Sequence, residues 1–165
     1  MEIRPEHPGD IDAVRNLTTE AFKATAHSSG TEAAIIDTLR AADALTISLV
    51  AADGGEVVGH VAFSPVTING ENTGWYGLGP VSVSPDRQRK GIGQALIREG
   101  LAGLRRRGAA GCVVLGDPAY YGRFGFESDP ELRYGDVPPE YFQRLAFTGA
   151  APKGEVAFHA GFGAI

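Results

Sequence analysis

The stretch Ser84–Leu101, SPDRQRKGIGQALIREGL, carries the main signal in this chain. It places Arg87, Arg89 and Lys90 within four positions and follows them with Gly-Ile-Gly at the start of a helical pattern. The first four N–H groups of a helix lack partners inside the helix, and the helix dipole adds partial positive charge there. Glycines let an anion approach the backbone closely. The stretch therefore predicts a binding site for a diphosphate.

Two plainer interpretations and two competing motifs bear on this prediction. A Gly-x-Gly junction also serves tight packing, and arginine-rich loops are commonly just solvated. The chain contains no Gly-x-x-x-x-Gly-Lys-Ser/Thr string, which a P-loop needs. A dinucleotide fingerprint needs a third glycine three positions after Gly93, where this chain has Leu96. The predicted anion site therefore fits neither nucleotide-binding fold.

The segment before this loop, residues 77–83 (GLGPVSV), is unusual for a central strand. Proline removes a hydrogen-bond donor from the ladder, and glycine weakens strand pairing. An edge strand or a loop would explain this composition. A splayed or bulged strand explains it too, and it frees backbone N–H groups for an extended, amide-bearing ligand beside the anion site. Diphosphate at the helix and amides along the strand together describe coenzyme A.

Bulk properties limit the class of protein. The 165 residues suggest one domain spanning residues 1–165, and 43% hydrophobic with 21% charged residues is ordinary for a globular protein. A formal charge of −5 argues against nucleic acid as a partner. A single Cys excludes an internal disulfide and any multi-thiolate metal site. Without an apolar run of about 18 residues or an apolar leader, we expect a soluble, cytoplasmic protein with no membrane association.

Hydrophobic periodicity predicts a mixed α/β sheet, built from helices, an antiparallel meander and a strand–helix–strand unit. The first half is predicted to begin with a strand at Glu2–Arg4, followed by a helix that Asp10 caps and that points Ile11, Val14, Leu17 and Ala21 inward. A second helix is predicted after a Ser29–Glu32 capping box, with Ile35, Leu39 and Ala42 inward. A strand then follows, with Leu45, Ile47, Leu49 and Ala51 on one face. In the second half, a hairpin turn at 53–55 is predicted to lead into a strand at Glu56–Phe63, and a turn at 69–70 into a strand at Trp75–Val83. A helix ending at Gly108 and a buried strand at Cys112–Leu115 follow. The last predicted elements are a short helix after Pro118 and a strand at Glu155–His159.

Two strings then bring a known family into view. LGPVSVSPDRQRKGIGQALI (residues 78–97) resembles the strand-four and coenzyme A loop signature of the GNAT acyltransferase superfamily, whose Arg/Gln-x-x-Gly-x-Gly/Ala pattern is filled by residues 88–93. YYGRFGF (residues 120–126) resembles its second mark, a Tyr five residues before a Gly-Phe. The strings AFSPV and LGDPAYYGRFGF are similar to the bacterial YhbS-like branch, and the likeness covers most of the chain.

The resemblance implies a GNAT-type sheet that is mixed, mostly antiparallel and flanked by helices, with a splayed strand pair at the acyl-CoA site. It implies an N-acetyltransferase that moves acetyl from acetyl-CoA to a primary amine by direct attack, without a metal. A non-catalytic acyl-CoA-binding module, or a transferase of a longer acyl group, is the alternative. The acceptor is not identified, and a homodimer is left open.

The resemblance also implies roles for individual residues. The N–H of Val81 would face the thioester carbonyl, and Tyr121 would act as general acid for the departing thiolate, since a phenol pKa near 10 is close to that of a thiol. The residues implied to bind the cofactor are Val81, Ser82, Val83, Gln88, Arg89, Lys90, Gly91, Ile92, Gly93, Gln94 and Tyr121.

Two departures from the family pattern affect the chemistry. Many members carry a Glu on strand four where this chain has Gly77, and many carry an Asn where it has residues 116–118, Gly-Asp-Pro. The first departure leaves the general base unassigned. His27 and Glu32 fall in the region that covers the acceptor side in this fold, so either is a candidate.

Other reactive side chains are better explained structurally. His60 within a strand is expected to be packed or hydrogen-bonded rather than a base. Asp117 is expected to cap the short helix, although α/β sheets often bind ligands at such strand ends. Cys112 in an apolar strand is expected in the core, and Tyr120 is expected to pack or to shape the acceptor pocket.

Overall fold

The computed structural model describes residues 1–23 and 31–163, which form nine strands and four α-helices with a few single-turn 3₁₀ segments. In chain order these are β1 (Glu2–Pro5), α1 (Ile11–Lys23), α2 (Glu32–Ala41), β2 (Ile47–Asp53), β3 (Glu56–Ile68), β4 (Trp75–Val83), α3 (Ile92–Arg106), β5 (Gly111–Leu115), α4 (Pro118–Tyr121), β6 (Glu127–Ser128), β7 (Leu132–Arg133), β8 (Phe142–Ala146) and β9 (Gly154–Phe158). Within these ranges, no helix has the length and apolar character needed to cross a bilayer.

The strands form one twisted path in the order β1-β2-β3-β4-β5-β8-β6, with β9 attached to the far half of β3. Neighbours along this path are antiparallel except β4 and β5, which run parallel. A parallel pair needs a crossover, and α3 supplies it. The loop from β4 into α3 therefore opens at the carboxyl end of a central strand, the usual place for ligands in such sheets.

Helices cover both faces of the sheet. On one face, α3 packs Leu96, Ile97 and Leu101 against Leu49 of β2 and Phe63 of β3. On the other face, Val14 of α1 and Ile36 of α2 pack against Val50. Strand β2 is consequently buried from Leu49 to Ala52 without a break, although we expected alternation with a half-exposed face. Burial on both faces removes the pressure for polar residues at alternate positions.

Most predicted elements are confirmed, with local corrections. The Asp10 carboxylate accepts hydrogen bonds from the backbone N–H of His7 (2.7 Å) and from Arg4 (2.7 Å), so it closes the turn before α1 rather than capping that helix. Ala42 lies exposed just past the end of α2, and Leu45 precedes β2. The predicted Ser29 cap lies outside the described residues.

The largest omission is in the C-terminal part, where the sequence pattern indicated only one strand. The structure has β6, β7 and β8 there as well, and β8 pairs with β5 over its whole length. Two of these strands have only two residues, which is too short for a periodicity to show. Tertiary pairing, not local pattern, determines them.

Candidate active site

The loop between β4 and α3 forms an anion cradle, a name used here for residues 88–94. Gly91 caps α3 with φ of +83°, and Arg89 also has a positive φ of 66°. The left-handed conformation is natural for glycine, which explains Gly91 at this position. A cavity of about 220 Å³ lies over the helix start, and it is lined by Val83, Arg87, Gln88, Arg89, Gly91, Ile92, Gly93, Gln94 and Tyr120.

Three cationic side chains lie in or next to the cradle, and they differ in how much of their positive charge is available to a ligand. The Arg87 guanidinium donates a hydrogen bond to the Asp53 carboxylate at 2.6 Å. This ion pair links the loop to the β2–β3 turn, and the carboxylate offsets much of the positive charge of Arg87. Asp53 accordingly has a pKa below its usual range, because Arg87 bonds to its charged form. Arg89 and Lys90 are exposed in the same loop. The attraction for a diphosphate therefore falls mainly to these two residues and to the helix start.

Strand β4 separates from β5 immediately beside the cradle. The two strands pair at Trp75, Tyr76 and Gly77, and the ladder stops there. From Leu78 to Val83 the register pairs of β4 are all with β3, and that ladder carries an irregularity opposite Phe63. The strand is thus splayed, as predicted, and the alternative of an edge strand is wrong because β4 lies between two partners. A gap between β4 and β5 follows.

A cleft of about 510 Å³ lies on the opposite side of this gap. Its walls come from eight separate parts of the chain, and its lining residues are Phe22, Glu32, Ile35, Leu78, Gly79, Pro80, Val81, Leu115, Tyr121, Tyr134, Phe158 and Phe162. Val81 and Tyr121, the two residues predicted to act on the thioester, therefore line the same cleft. Val83, two positions along the same strand, lines the cradle. Strand β4 runs from one cavity to the other.

Ser82, between those two valines, presents its side chain elsewhere. It is buried, pairs with His60 across the ladder, and its Oγ lies 3.4 Å from Thr18 Oγ1 on α1. The predicted contribution of Ser82 to cofactor binding is thereby limited to its backbone.

The ring of Tyr121 is held by aromatic contacts, and it occupies space that Gly116 leaves open because glycine has no side chain. Its ring packs edge-on against Tyr120 at 5.0 Å and Phe126 at 6.0 Å between centroids. A Cβ on Gly116 would lie 2.5 Å from Tyr121 Cε2, so only glycine leaves room for the ring. Burial raises the pKa of Tyr121 to about 12. The expected match between phenol and thiol is therefore wrong, and the phenol keeps its proton.

Tyr120, the adjacent residue, points into the other cavity. It lines the cradle, and a Cβ on Gly93 would lie 3.5 Å from its hydroxyl oxygen. The Arg123 guanidinium sits 4.6 Å from its ring centroid and holds the ring from the outer side. We expected Tyr120 to pack or to shape the acceptor pocket. It does pack, against Tyr121 at 5.0 Å and Phe124 at 5.7 Å between ring centroids, and the cavity that it lines is the one over the cradle.

Comparison with known proteins identifies the family. A sequence profile of the acetyltransferase (GNAT) domain matches residues 2–128. The chain belongs to the GNAT acetyltransferase family. It is 42% identical over 128 residues to the "Uncharacterized N-acetyltransferase YhbS" of Escherichia coli K12, covering 77% of this chain and 74% of that protein.

Solved GNAT structures agree along nearly the whole chain. A GNAT acetyltransferase from Brucella melitensis, in complex with acetyl-CoA, matches with 55% identity and a TM-score of 0.89, covering 98% of this chain and 97% of its own. YhbS from E. coli, in complex with CoA, matches with 37% identity and a TM-score of 0.89, covering 98% and 91%. The predicted family, fold and acyltransferase class are confirmed.

This chain departs from the GNAT pattern at Gly77, and packing explains the departure. A Cβ at this position would lie 2.5 Å from Phe158 Cε1, so the ring of Phe158 occupies the space that a strand-four side chain would need. Phe158 belongs to β9, which pairs with the far half of β3. The carboxylate common at this position in the family is thus replaced by an aromatic ring from the end of the chain.

The candidates for a general base separate clearly. His60 has no exposed surface, its Nε2 lies 2.8 Å from Ser48 Oγ, and burial lowers its pKa to about 3, so it is a packed residue as expected. Asp117 accepts the N–H of Ala119 at 2.9 Å and caps α4, also as expected. Glu32 lines the cleft. His27 lies outside the described residues.

Two further checks concern thiol and metal chemistry. Cys112 is buried in β5, and burial raises the pKa of its thiol, so it is a core residue as expected. The described residues contain no group of three His, Cys, Asp or Glu side chains placed to hold a metal ion.

Sequence reasoning missed the aromatic lining of the cleft. No sequence pattern indicated four of the lining residues, Phe22, Tyr134, Phe158 and Phe162. Three of them lie in the Pro- and Gly-rich tail without a motif around them. The available signal was compositional: three aromatic residues in a weakly patterned tail need a place to be buried.

Proposed function

We propose that this chain transfers the acetyl group of acetyl-CoA to a primary amine by direct attack. The observation that carries the proposal is the course of β4, which has Val83 at the cradle and Val81 at the cleft. A ligand with its diphosphate on the helix start would pass along the splayed strand and present its thioester beside Val81. The acetyl-CoA and CoA complexes of the two relatives support this choice of donor.

Donor binding uses backbone groups more than side chains. The free N–H groups at the start of α3 would hold the diphosphate, and Arg89 and Lys90 would add attraction from solvent. The backbone of residues 81–83, no longer paired with β5, would bond to the amides of the pantetheine arm. Gln88 donates to the carbonyl of Val83 at 3.3 Å, which joins the cradle to this part of the strand.

The reaction then balances in one sequence. The amine nitrogen attacks the thioester carbon, a C–N bond forms, and the carbonyl oxygen becomes an oxyanion facing the N–H of Val81. Collapse of this intermediate breaks the C–S bond, and the electron pair leaves with sulfur. The amine proton goes to a base. The departing thiolate accepts a hydrogen bond from Tyr121 and takes up a proton from solvent, so that CoA leaves as the thiol.

The raised pKa of Tyr121 sharpens its role. A phenol with a pKa near 12 gives up its proton to a thiolate only uphill, because an ordinary thiol has a pKa of about 8.5. Tyr121 therefore acts in this proposal as a fixed hydrogen-bond donor to the developing negative charge. Such donors act chiefly on the transition state.

Glu32 is the residue we propose as general base. An alkylamine with a pKa of about 10.4 is neutral in about one molecule in 2,500 at pH 7, a cost of roughly 4.6 kcal/mol. Something in the cleft must take the proton, directly or through water. Among the candidates that the structure describes, Glu32 lines the cleft together with Val81 and Tyr121, and neither His60 nor Asp117 lines it.

The test measures CoA release and N-acetylated product with a panel of primary amines, using acetyl-CoA and hexanoyl-CoA as donors. We expect turnover with acetyl-CoA and at least tenfold less with hexanoyl-CoA. Binding of acetyl-CoA without turnover of any amine would contradict the proposal and favour a non-catalytic binding module. Faster turnover with hexanoyl-CoA would instead identify a transferase of longer acyl groups.

The base is tested separately with Glu32→Gln, using Glu20→Gln on α1 as the matched control. We expect kcat/KM to fall about 100-fold at pH 7, within the usual range for general base catalysis. In the variant, kcat/KM should rise about tenfold per pH unit, because the amine must lose its proton to solvent. A variant with the activity and pH profile of the control would overturn the role of Glu32 and leave the transfer itself standing.

A further inference from the structure

The cleft has a lining that selects among amines. Its described walls carry five aromatic side chains, Phe22, Tyr121, Tyr134, Phe158 and Phe162. The only ionisable group besides the two tyrosines among the described lining residues is the carboxylate of Glu32. No lysine, arginine or histidine lines the described part of the cleft.

Most of this aromatic wall is braced before any acceptor enters. Phe158 contacts Tyr134 edge-on at 4.9 Å and Phe162 at 5.1 Å between centroids. Its other side fills the space left by Gly77, and Phe142 supports it from the core side at 6.4 Å. A braced ring loses little conformational freedom on binding, so apolar contact with an acceptor is favourable at low entropic cost.

Charge at the cleft favours one kind of substituent and opposes another. An ammonium group gains the faces of aromatic rings, which attract cations. A carboxylate or phosphate next to the amine finds no cation among the described lining residues. Burying such an anion unpaired costs several kcal/mol.

The cleft also adjoins a second groove. This groove has a volume of about 520 Å³ and shares Tyr134, Phe158 and Phe162 with the cleft. An acceptor longer than the cleft can thus keep its apolar body on the same three rings while extending outward.

We infer that the acceptor is an amine carried on an apolar or aromatic body, with no carboxylate or phosphate close to the reacting nitrogen. This inference rests on the proposed function, because it names the acceptor class of the same transfer. It disfavours free α-amino acids and phosphorylated amino sugars, which carry an anionic group close to the amine.

The first experiment compares matched acceptors at saturating acetyl-CoA, with kcat/KM corrected for the fraction of neutral amine. Phenylalaninamide should exceed phenylalanine by at least 100-fold, since the two differ in the charge next to the amine. From butylamine to hexylamine, kcat/KM should rise about fourfold per methylene, the factor that corresponds to about 0.8 kcal/mol per buried CH₂.

The second experiment places a cation in the wall. Leu115 ends β5, lines the cleft and is 46% exposed, so a longer side chain fits there without disturbing the core. Leu115→Arg should reduce the preference for phenylalaninamide over phenylalanine at least tenfold. Leu115→Gln, neutral and of similar length, should leave that preference unchanged.

The outcomes separate the two proposals. If phenylalanine is acetylated as well as the apolar amines, the acceptor class is wrong and acetyl transfer stands. The class is also wrong if Leu115→Arg and Leu115→Gln behave alike. If acetyl-CoA binds and no amine of either kind is acetylated, the proposed function itself fails.

Discussion

The cradle and the cleft lie at two ends of the same strand, yet they are built in different ways. The cradle comes from one continuous stretch of seven residues, with Val83 before it and Tyr120 from α4 beside it. The cleft draws its walls from α1, α2, β4, β5, α4, β9 and the residues around them. A site made of consecutive residues depends on local backbone conformation, whereas a site made of distant ones depends on the packing of the whole domain.

The difference also divides the chain by similarity. The GNAT profile ends at residue 128, so it includes the cradle and Tyr121. Tyr134, Phe158 and Phe162 lie beyond it and form much of the wall of the cleft. The profile thus covers the cradle and nine of the twelve residues that line the cleft, and three of the aromatic lining residues lie outside it.

The largest expected effect tests the cradle alone. Gly91→Asp should weaken acetyl-CoA binding by about 10³-fold, because it sets a negative charge against the diphosphate at a cost of several kcal/mol. Calorimetry measures the change. Gly91→Asn is the matched control, since Asn tolerates the left-handed conformation and adds no charge. It should cost about tenfold or less.

An equal loss in both Gly91 variants would show that the backbone, not the charge, matters there. Retained affinity in Gly91→Asp would move the diphosphate elsewhere and remove the basis of the comparison.

The next effect tests the cleft alone. Tyr121→Phe keeps the ring packed against Phe126 and removes only the hydroxyl. We expect kcat to fall about 100-fold, the lower range for removing one donor to a developing charge, with acetyl-CoA affinity unchanged. Rapid-quench kinetics should confirm that chemistry limits the rate.

The pH dependence provides a second check on Tyr121. Its phenol acts in the protonated form, and a pKa of about 12 keeps it protonated throughout the usual assay range. The wild-type kcat should therefore show no decline near pH 10 due to this group. A decline there that disappears in Tyr121→Phe would contradict the proposed hydrogen-bond role.

A third prediction concerns the scaffold beneath both regions. His60 on β3 has a pKa of about 3 in the folded chain, below the 6.5 of an ordinary histidine, because burial disfavours its charged form. The unfolded chain therefore takes up the proton first. Stability is complete above pH 6.5 and is lost as the pH falls toward 3, by about 2 kcal/mol between pH 7 and pH 5.

Urea unfolding of the wild type and His60→Gln at the two pH values measures this loss. The difference between pH 7 and pH 5 should shrink by about 2 kcal/mol in the variant. Asp10, whose pKa of about 2 also makes stability depend on pH, acts only below about pH 4 and does not interfere. An identical pH dependence in the two proteins would mean that folding does not lower the pKa of His60.

The smallest expected effect distinguishes two neighbouring tyrosines. Tyr120 lines the cradle and Tyr121 the cleft, so Tyr120→Phe should raise the Kd of acetyl-CoA three- to tenfold with kcat within twofold of wild type. Tyr121→Phe should do the reverse. If both substitutions lowered kcat alone, Tyr120 would belong to the chemistry and the boundary between the two regions would have to move.

How far the sequence predicted the molecule follows the same division. The cradle was predictable residue by residue, because glycine conformation and helix-end charge act over a few positions. The hairpins at 53–55 and 69–70 and the bounds of β4 were predictable for the same reason. Strand β8 and the roles of Phe22 and Phe162 were not, since their positions depend on pairing and packing partners far away in the chain.

A side chain at position 77 and the ring of Phe158 would compete for the same volume. The residue types at these two positions therefore depend on each other. A side chain at position 77 with the ring at 158 still in place would bring atoms within 2.5 Å. A carboxylate could return to β4 only together with a smaller residue on β9. Restoring the base common in the family would therefore remove the central ring of the aromatic wall. A carboxylate at position 77 and the ring of Phe158 exclude each other, so neither position can be changed to that end without a change at the other.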